Sequence, residues 1–382
     1  IPDQYLDDRL GYATAVSADG NRLVVGGKDY STDSDTKLGI VRIYDLVPEN
    51  DQGMQTWREI ALITGKRSND QFGAALSLSA DGTILVVGAP GHDKDLAADT
   101  NEGKVFVFDI SANNSTPWEY EISSFEGEEL SGQFGLSVSL ESKGNDLAIG
   151  APLSNNAVGQ VFVYKKDGRG TWYQVSKVLT GSTQYEQFGM SVSIALDGVQ
   201  LVVGAPGSTP SFPGGYVKVY RHKLQEWAED KLISSKISKA SFGYSISQSP
   251  DANLCLVGAP GVDNERGSAY LFSRSNGIFD GSESEIKGFE EGDRLGWSVS
   301  VSLQGNRCIV GLPGRGKSES IQFGSAIVYQ IAEDKSSLEK SKEIYGEGET
   351  GESDFGQSVS LNNNGTVVVV SSPSTGVIRS YT

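Results

Sequence analysis

The sequence predicts an all-β fold: a seven-bladed β-propeller of four-stranded antiparallel blades, filling residues 1–382 as one domain. Three observations carry this expectation. An opening dipeptide recurs at Leu10-Gly11, Phe72-Gly73, Phe134-Gly135, Phe188-Gly189, Phe242-Gly243, Leu295-Gly296 and Phe355-Gly356, at intervals of 62, 62, 54, 54, 53 and 60 residues. Sixteen residues after each opener stands a second motif, at Gly26, Gly88, Gly150, Gly204, Gly258, Gly311 and Ser371, with no insertion or deletion in any copy. Helical spacing is nowhere sustained. A repeat of this period is a unit that cannot bury its apolar faces alone, and radial stacking of such units gives each one two neighbours.

Each element follows from local pattern. The first strand alternates, as in Ser137-Val138-Ser139-Leu140, with the period of two that a pleated strand imposes. A tight hairpin turn comes next, at Gly20, Gly82, Gly144, Gly198, Ala252, Gly305 and Gly365, usually after Asp or Asn, where positive φ is required. The second strand is a continuous apolar run such as Leu85-Val86-Val87, ended by a Gly-Ala-Pro that removes a backbone donor and bends the chain outward. A loop of variable length leads to the third strand, read from GIVRIY at Gly39, GKVFVF at Gly103, GQVFVY at Gly159 and GYVKVY at Gly215, with weaker forms at Gly267, Gly324 and Gly376. The fourth strand is the least regular and opens at Trp57, Trp118, Trp172, Trp227, Phe279 or Leu338. Cys255 and Cys308 occupy the position of Leu85, Leu147 and Leu201 and are expected to be buried thiols acting as small apolar groups.

The paired motifs in FGAALSLSADGTILVVGAPG from Phe72, and their near copies from Phe134 and Phe188, resemble the FG-GAP repeat family. Its best-known members are the amino-terminal propellers of integrin α subunits, and related repeats occur in bacterial and algal surface proteins. The resemblance covers nearly all of the chain. It departs at Leu10-Gly11 and Gly26-Gly27-Lys28 in the first copy and at Ser371-Ser372-Pro373 in the last. Many family members carry an oxygen-rich calcium loop between the first two strands. The turns here read SADGNR, SADGTI, ESKGND, ALDGVQ, SPDANL, SLQGNR and NNNGTV, with at most one Asp before the Gly. Calcium takes about six to eight oxygen ligands, so none is expected in these hairpins.

Charge narrows the partners. The net charge is −17, which disfavours polyanions and makes nucleic acid an unexpected partner. No apolar run reaches the length of a membrane span, so this segment is not expected to insert into a membrane. The chain opens at Ile1 without Met or a signal-like core, which reads as a processed chain or an excised piece. Catalysis finds little material: His92 and His222 are the only histidines and fall in different copies, and no GxSxG elbow appears. No catalytic residue, cofactor or metal is therefore assigned. The acidic loops 29–37 and 91–103 are left open as metal sites, a solvated polar loop being the plainer reading.

The expected function is recognition by a non-enzymatic extracellular or cell-surface module that binds a protein or glycan through the face formed by the strand 2–3 loops. The candidate partner-binding residues on that face are Tyr30, His92, Phe212, Trp297 and Arg315, aromatic and cationic side chains of the kind that anchor contacts. Glycosylation sequons at Asn113, Asn114 and Asn364 would be used if the chain is secreted. A structural subunit of a matrix, appendage or surface assembly, in which copies of the chain are the partners, is the alternative; a hydrolase is a more distant one. Closure of the ring is expected to come from the N-terminus, because Ile1 lies at the same offset from its opener as Ile63, Phe125, Leu179, Ile233 and Ile286. On that reading Ile1 to Asp3 lie against Ile378 to Tyr381.

Overall fold

A computed structural model describes residues 9–32, 34–48, 55–95, 100–111, 120–175, 177–195, 198–223, 226–275, 278–302, 304–318, 321–335, 337–346 and 352–381. The chain forms seven sheets, each built on antiparallel strands that run up and down in sequence order; the blade 6 sheet also takes in two short strands, Gly316–Ser318 antiparallel and Glu352–Phe355 parallel to its third strand. Blade 4 shows the unit plainly: Ser191–Ile194, Gln200–Ala205, Tyr216–Lys223 and Glu226–Ser234, each paired to the next. Blades 1, 2, 5 and 6 repeat it. The outer strand of blade 3 is split into Trp172–Gln174 and Leu179–Thr180. Blade 7 contributes Ser358–Leu361, Val368–Ser372 and Val377–Tyr381 among the described residues. The register between third and fourth strands slips at one place in blades 1, 2, 4, 5 and 6, for instance at Ile43/Tyr44 and Val219/Tyr220, and such a bulge sharpens the local twist.

The core lies between blades rather than within them. Because successive side chains on a strand point to opposite faces, Leu85 and Val87 pack toward blade 1 while Ile84 and Val86 pack toward blade 3. Both faces are buried, which is why the second strand reads as an unbroken apolar run. Each of the seven interfaces holds its own apolar cluster. The one between blades 7 and 1 joins Val367, Val369 and Ile378 to Leu10, Leu23 and Ile40, so the ring is closed. Cys255 and Cys308 are free, buried thiols inside two of these clusters, and burial pushes both up to about 12.

The repeated motifs are the joints of this ring. The opener glycine of each blade lays its carbonyl against the second-motif glycine of the preceding blade, so a methyl on Gly150 would fall 2.0 Å from the Gly189 oxygen, and one on Gly204 2.0 Å from that of Gly243. A serine hydroxyl from the first strand donates to the same carbonyl: Ser137 to Gly189 at 2.8 Å, Ser191 to Gly243 at 2.7 Å, Ser245 to Gly296 at 2.8 Å and Ser298 to Gly356 at 2.7 Å. At the closing joint Ser371 stands in place of glycine, and its own hydroxyl reaches Gly11 O at 2.6 Å. Thr14 completes that joint through Ser358 and Ser360, and the Trp57 indole donates to Ser380 at 2.8 Å.

Around the axis Ser77, Ser139, Ser193, Ser247 and Ser300 each accept the backbone N–H of the next blade's first strand. All seven blades line the resulting axial cavity of about 200 Å³. Residues 1–3 lie outside the described residues, and with them the expected pairing to the last strand. The edge of that strand, with Leu23 and Trp57, borders a groove of about 270 Å³.

Candidate recognition face

The strand 2–3 loops and the connections between blades share one end of the propeller, and among the described residues backbone hydrogen bonds link loop to connection from blade 1 to blade 6. The loops of blades 1 to 5 accept from the following connection: Asn69 N–H donates to Thr36 O, Gln133 to Asn101, Gln187 to Ala157, Lys239 to Pro213 and Arg294 to Glu265. The glycine at the start of the next loop then donates back to that connection, as Gly91 to Asp70 O, Gly207 to Glu186 O and Gly314 to Asp293 O. To aim these groups the connection adopts left-handed backbone at the residue just before six of the seven openers, including Gln71 (φ 56), Gln133 (φ 53) and Gln187 (φ 57); Asp354, before Phe355, does not. Such conformations strain side-chain-bearing residues, and the surrounding hydrogen bonds hold them.

Carboxylates two residues before the openers fix three connections from beneath. Buried Glu186 accepts from the Ser182 N–H (2.7 Å), Thr183 Oγ1 (2.7 Å) and the Tyr216 hydroxyl (2.7 Å). Burial alone would raise its carboxyl, but these bonds outweigh burial and the net shift is downward. The Tyr216 phenol moves up, through burial and then through Glu186. Asp293 accepts from the Phe289 and Glu290 N–H groups at 2.9 Å, and Asp70 faces His92 Nδ1 at 3.1 Å. These acids escaped the sequence reading. Their signal was present, since aligning the openers puts Asp70, Glu186 and Asp293 in one column.

The five residues expected to bind a partner occupy different depths. Tyr30 is half-buried against the cluster between blades 7 and 1. His92 is buried on Asp70. Phe212 is half-buried, its ring 4.5 Å from that of Tyr216. Trp297 stands at the channel mouth, 4.7 Å from the Tyr244 ring and beneath the Arg294 guanidinium at 5.7 Å. Across the mouth Lys28 covers Tyr12 at 4.2 Å. Arg315 is held among Asp293 (3.2 Å), Glu290 (3.6 Å) and Glu343 (3.8 Å), and lies 4.5 Å over the Phe289 ring. His92 and Arg315 thus brace the face, while Tyr30, Phe212 and Trp297 reach its surface in part.

The acidic loops are largely self-satisfied. Asp93 accepts from the Thr100 and Asn101 N–H groups, Glu102 from Thr100 Oγ1 and the Lys94 N–H, and Asp29 pairs with Arg9 at 3.1 Å. Residues 33 and 96–99 of these loops lie outside the described residues. Among the described residues no three His, Cys, Asp or Glu side chains converge as a metal site needs. At the opposite end, the hairpin face, Asp19, Asp81 and Asp251 each accept from a serine two residues earlier and from an N–H two residues later, which accounts for the lone Asp of those turns. There a cavity of about 570 Å³ between blades 1 and 2 is lined by Arg22, which grips Asp45 at 2.7 and 2.9 Å and donates to the Gly82 and Ile110 carbonyls. His222 packs on Trp227 at 5.2 Å, in another blade and at another end than His92. Asn364 is exposed in the blade 7 hairpin turn, on the hairpin face; Asn113 and Asn114 lie outside the described residues.

A closed ring of seven blades that carries variable loops at one end defines a β-propeller. Residues 57–108, from the outer strand of blade 1 through most of the third strand of blade 2, match the family model for the FG-GAP repeat. Together with the seven blades this match is consistent with integrin-like FG-GAP propellers, which mediate protein interactions and are generally non-catalytic. Such repeats are typical of extracellular and surface proteins, and no helix among the described residues is long and apolar enough to cross a membrane.

Proposed function

We propose that the chain is a non-enzymatic recognition module of an extracellular or cell-surface protein, and that it binds a protein or glycan partner through the loop face. One observation carries this reading. Loops of differing length and sequence are tied by backbone hydrogen bonds to a ring in which the same glycine joint recurs at six of seven interfaces, so surface chemistry varies more than geometry does. Asn364 lies at the other end, where a glycan would leave the loop face clear.

Site-directed shielding tests it. Cys255 and Cys308 are buried and their thiols sit at about 12, so a maleimide at neutral pH modifies only an introduced cysteine. Polyethylene glycol attached at Gln184→Cys on the loop face is expected to abolish binding to whichever ectodomain or glycan on an array the untreated chain retains. The same polymer at Val199→Cys, in the hairpin turn of blade 4, is expected to leave binding within about twofold. Blocking by the Val199 adduct alone would move recognition to the hairpin face, and retention by neither site on any array would leave a structural subunit as the better reading.

A further inference from the structure

Four consecutive connections on the loop face each expose one large apolar side chain. Leu130 is 69% exposed between blades 2 and 3, Tyr185 67% between blades 3 and 4, Ile237 43% between blades 4 and 5, and Phe289 44% between blades 5 and 6. The connection into blade 2 carries Lys66, Arg67 and Ser68 instead. An isolated exposed apolar residue is ordinary, but one on each of four successive connections, shortly before the opener in each, forms an arc.

Two of the four are held in ways that packing does not require. Tyr185 has φ 68, a conformation that disfavours a bulky side chain, at the position that Gly292, Asn69, Ser131 and Lys239 fill with the same left-handed backbone in other connections. Its ring has no aromatic or hydrogen-bond partner among the described residues. Glycine or asparagine would suit the backbone better, so a tyrosine at this position costs the fold something. Phe289 is clamped between cations, with Arg315 at 4.5 Å and Lys340 at 5.2 Å from its ring centre, yet it stays open to solvent. A rigid aromatic loses little entropy on binding.

The charge around the arc says what kind of surface covers it. Glu128, Asp263, Glu265, Glu290 and Glu291 are exposed on the same connections and loops, against Lys236 and Lys239, and Arg294 is paired with Glu265 at 2.7 Å. With a net charge of −17, a second copy meets repulsion here and a basic surface meets attraction.

Resting on the loop face as the recognition surface, we infer that the arc of Leu130, Tyr185, Ile237 and Phe289 docks a partner protein that presents an apolar ridge flanked by lysine or arginine. The probe is a random disulfide-cyclised peptide library displayed on phage, selected on the full chain and re-assayed as synthetic peptides. Selected peptides are expected to combine Trp, Leu or Phe with Lys or Arg, and to bind Tyr185→Asn at least tenfold more weakly. Tyr185→Asn is expected to melt at or above the parent temperature, because asparagine tolerates the left-handed backbone, so lost binding is not lost folding. Selected peptides that are acidic, or that ignore Tyr185→Asn and Leu130→Ser alike, would overturn the assignment. So would a concentration-dependent dimer in sedimentation that Tyr185→Asn abolishes, since the occupant would then be a second copy. If the Gln184 adduct blocks binding while the arc variants do not, the face stands and only the arc falls.

Discussion

Gly150→Ala is expected to destabilise the fold by about 3 kcal/mol, a large effect for one methyl group. The added carbon would lie 2.0 Å from the Gly189 oxygen and 2.3 Å from Ser137 Oγ, and the first of these is backbone that cannot swing aside. Relief requires blades 3 and 4 to separate, which loosens the cluster of Ala148, Val161, Phe188 and Val203 and lengthens the 2.8 Å bond from Ser137 to Gly189. Gly168→Ala is the control. It sits in the outer turn of the same blade with nothing within 4 Å, and a change within about 0.5 kcal/mol is expected there. Urea unfolding of both variants measures the difference; a Gly150→Ala value within about 1 kcal/mol of the parent would show that the joint is slack. Ser371 shows how the joint accommodates a side chain where the ring closes: its hydroxyl takes over the bond to Gly11 that a first-strand serine makes elsewhere.

That joint explains why the fold was legible in the sequence. The contact between Gly150 and Gly189 leaves room for no side chain and no extra residue, so the offset of sixteen between motifs survives in every copy and can be counted. Alternate burial of Ile84 and Leu85 against opposite neighbours likewise leaves a continuous apolar run that reads as a strand. The candidate face was legible only in outline. Aromatic and cationic residues in the loops could be picked out, but whether His92 points outward or down onto Asp70 depends on a partner 22 residues away, and Arg315 depends on carboxylates from a preceding connection and a later strand. Tyr185 was passed over because nothing in its local sequence marks a left-handed backbone; only the alignment with Gly292 does so. The fourth strand of blade 3 read as one element and is two, Trp172–Gln174 and Leu179–Thr180, both paired with the third strand.

Glu186→Ala is expected to cost about 3 kcal/mol at neutral pH, because it strands the buried Tyr216 hydroxyl and unties two further donors from the connection. The Ser182 N–H, Thr183 Oγ1 and Tyr216 hydroxyl all converge on this one buried carboxylate. Tyr216 is among the largest fully buried side chains, so its hydroxyl cannot turn to water. The pH dependence separates this role from simple packing. The folded carboxyl lies below its unfolded value of about 4.3, so its contribution is fully present above that pH and is lost as pH falls through the folded value. Asp19, Asp81, Asp251 and Glu102 are shifted the same way, in each case by hydrogen bonds that outweigh burial. Glu141 runs opposite: burial raises it, so its stabilising contribution belongs to pH below the unfolded value and disappears as pH rises through the folded one. The parent should therefore lose stability in acid faster than Glu186→Gln, which keeps an acceptor oxygen but has no carboxyl to protonate. Urea midpoints of parent and Glu186→Gln, measured from pH 7 down to pH 3, are expected to differ at neutrality and converge below about pH 4. Parallel curves over that range would mean that Glu186 holds the connection by shape alone, with its charge contributing nothing.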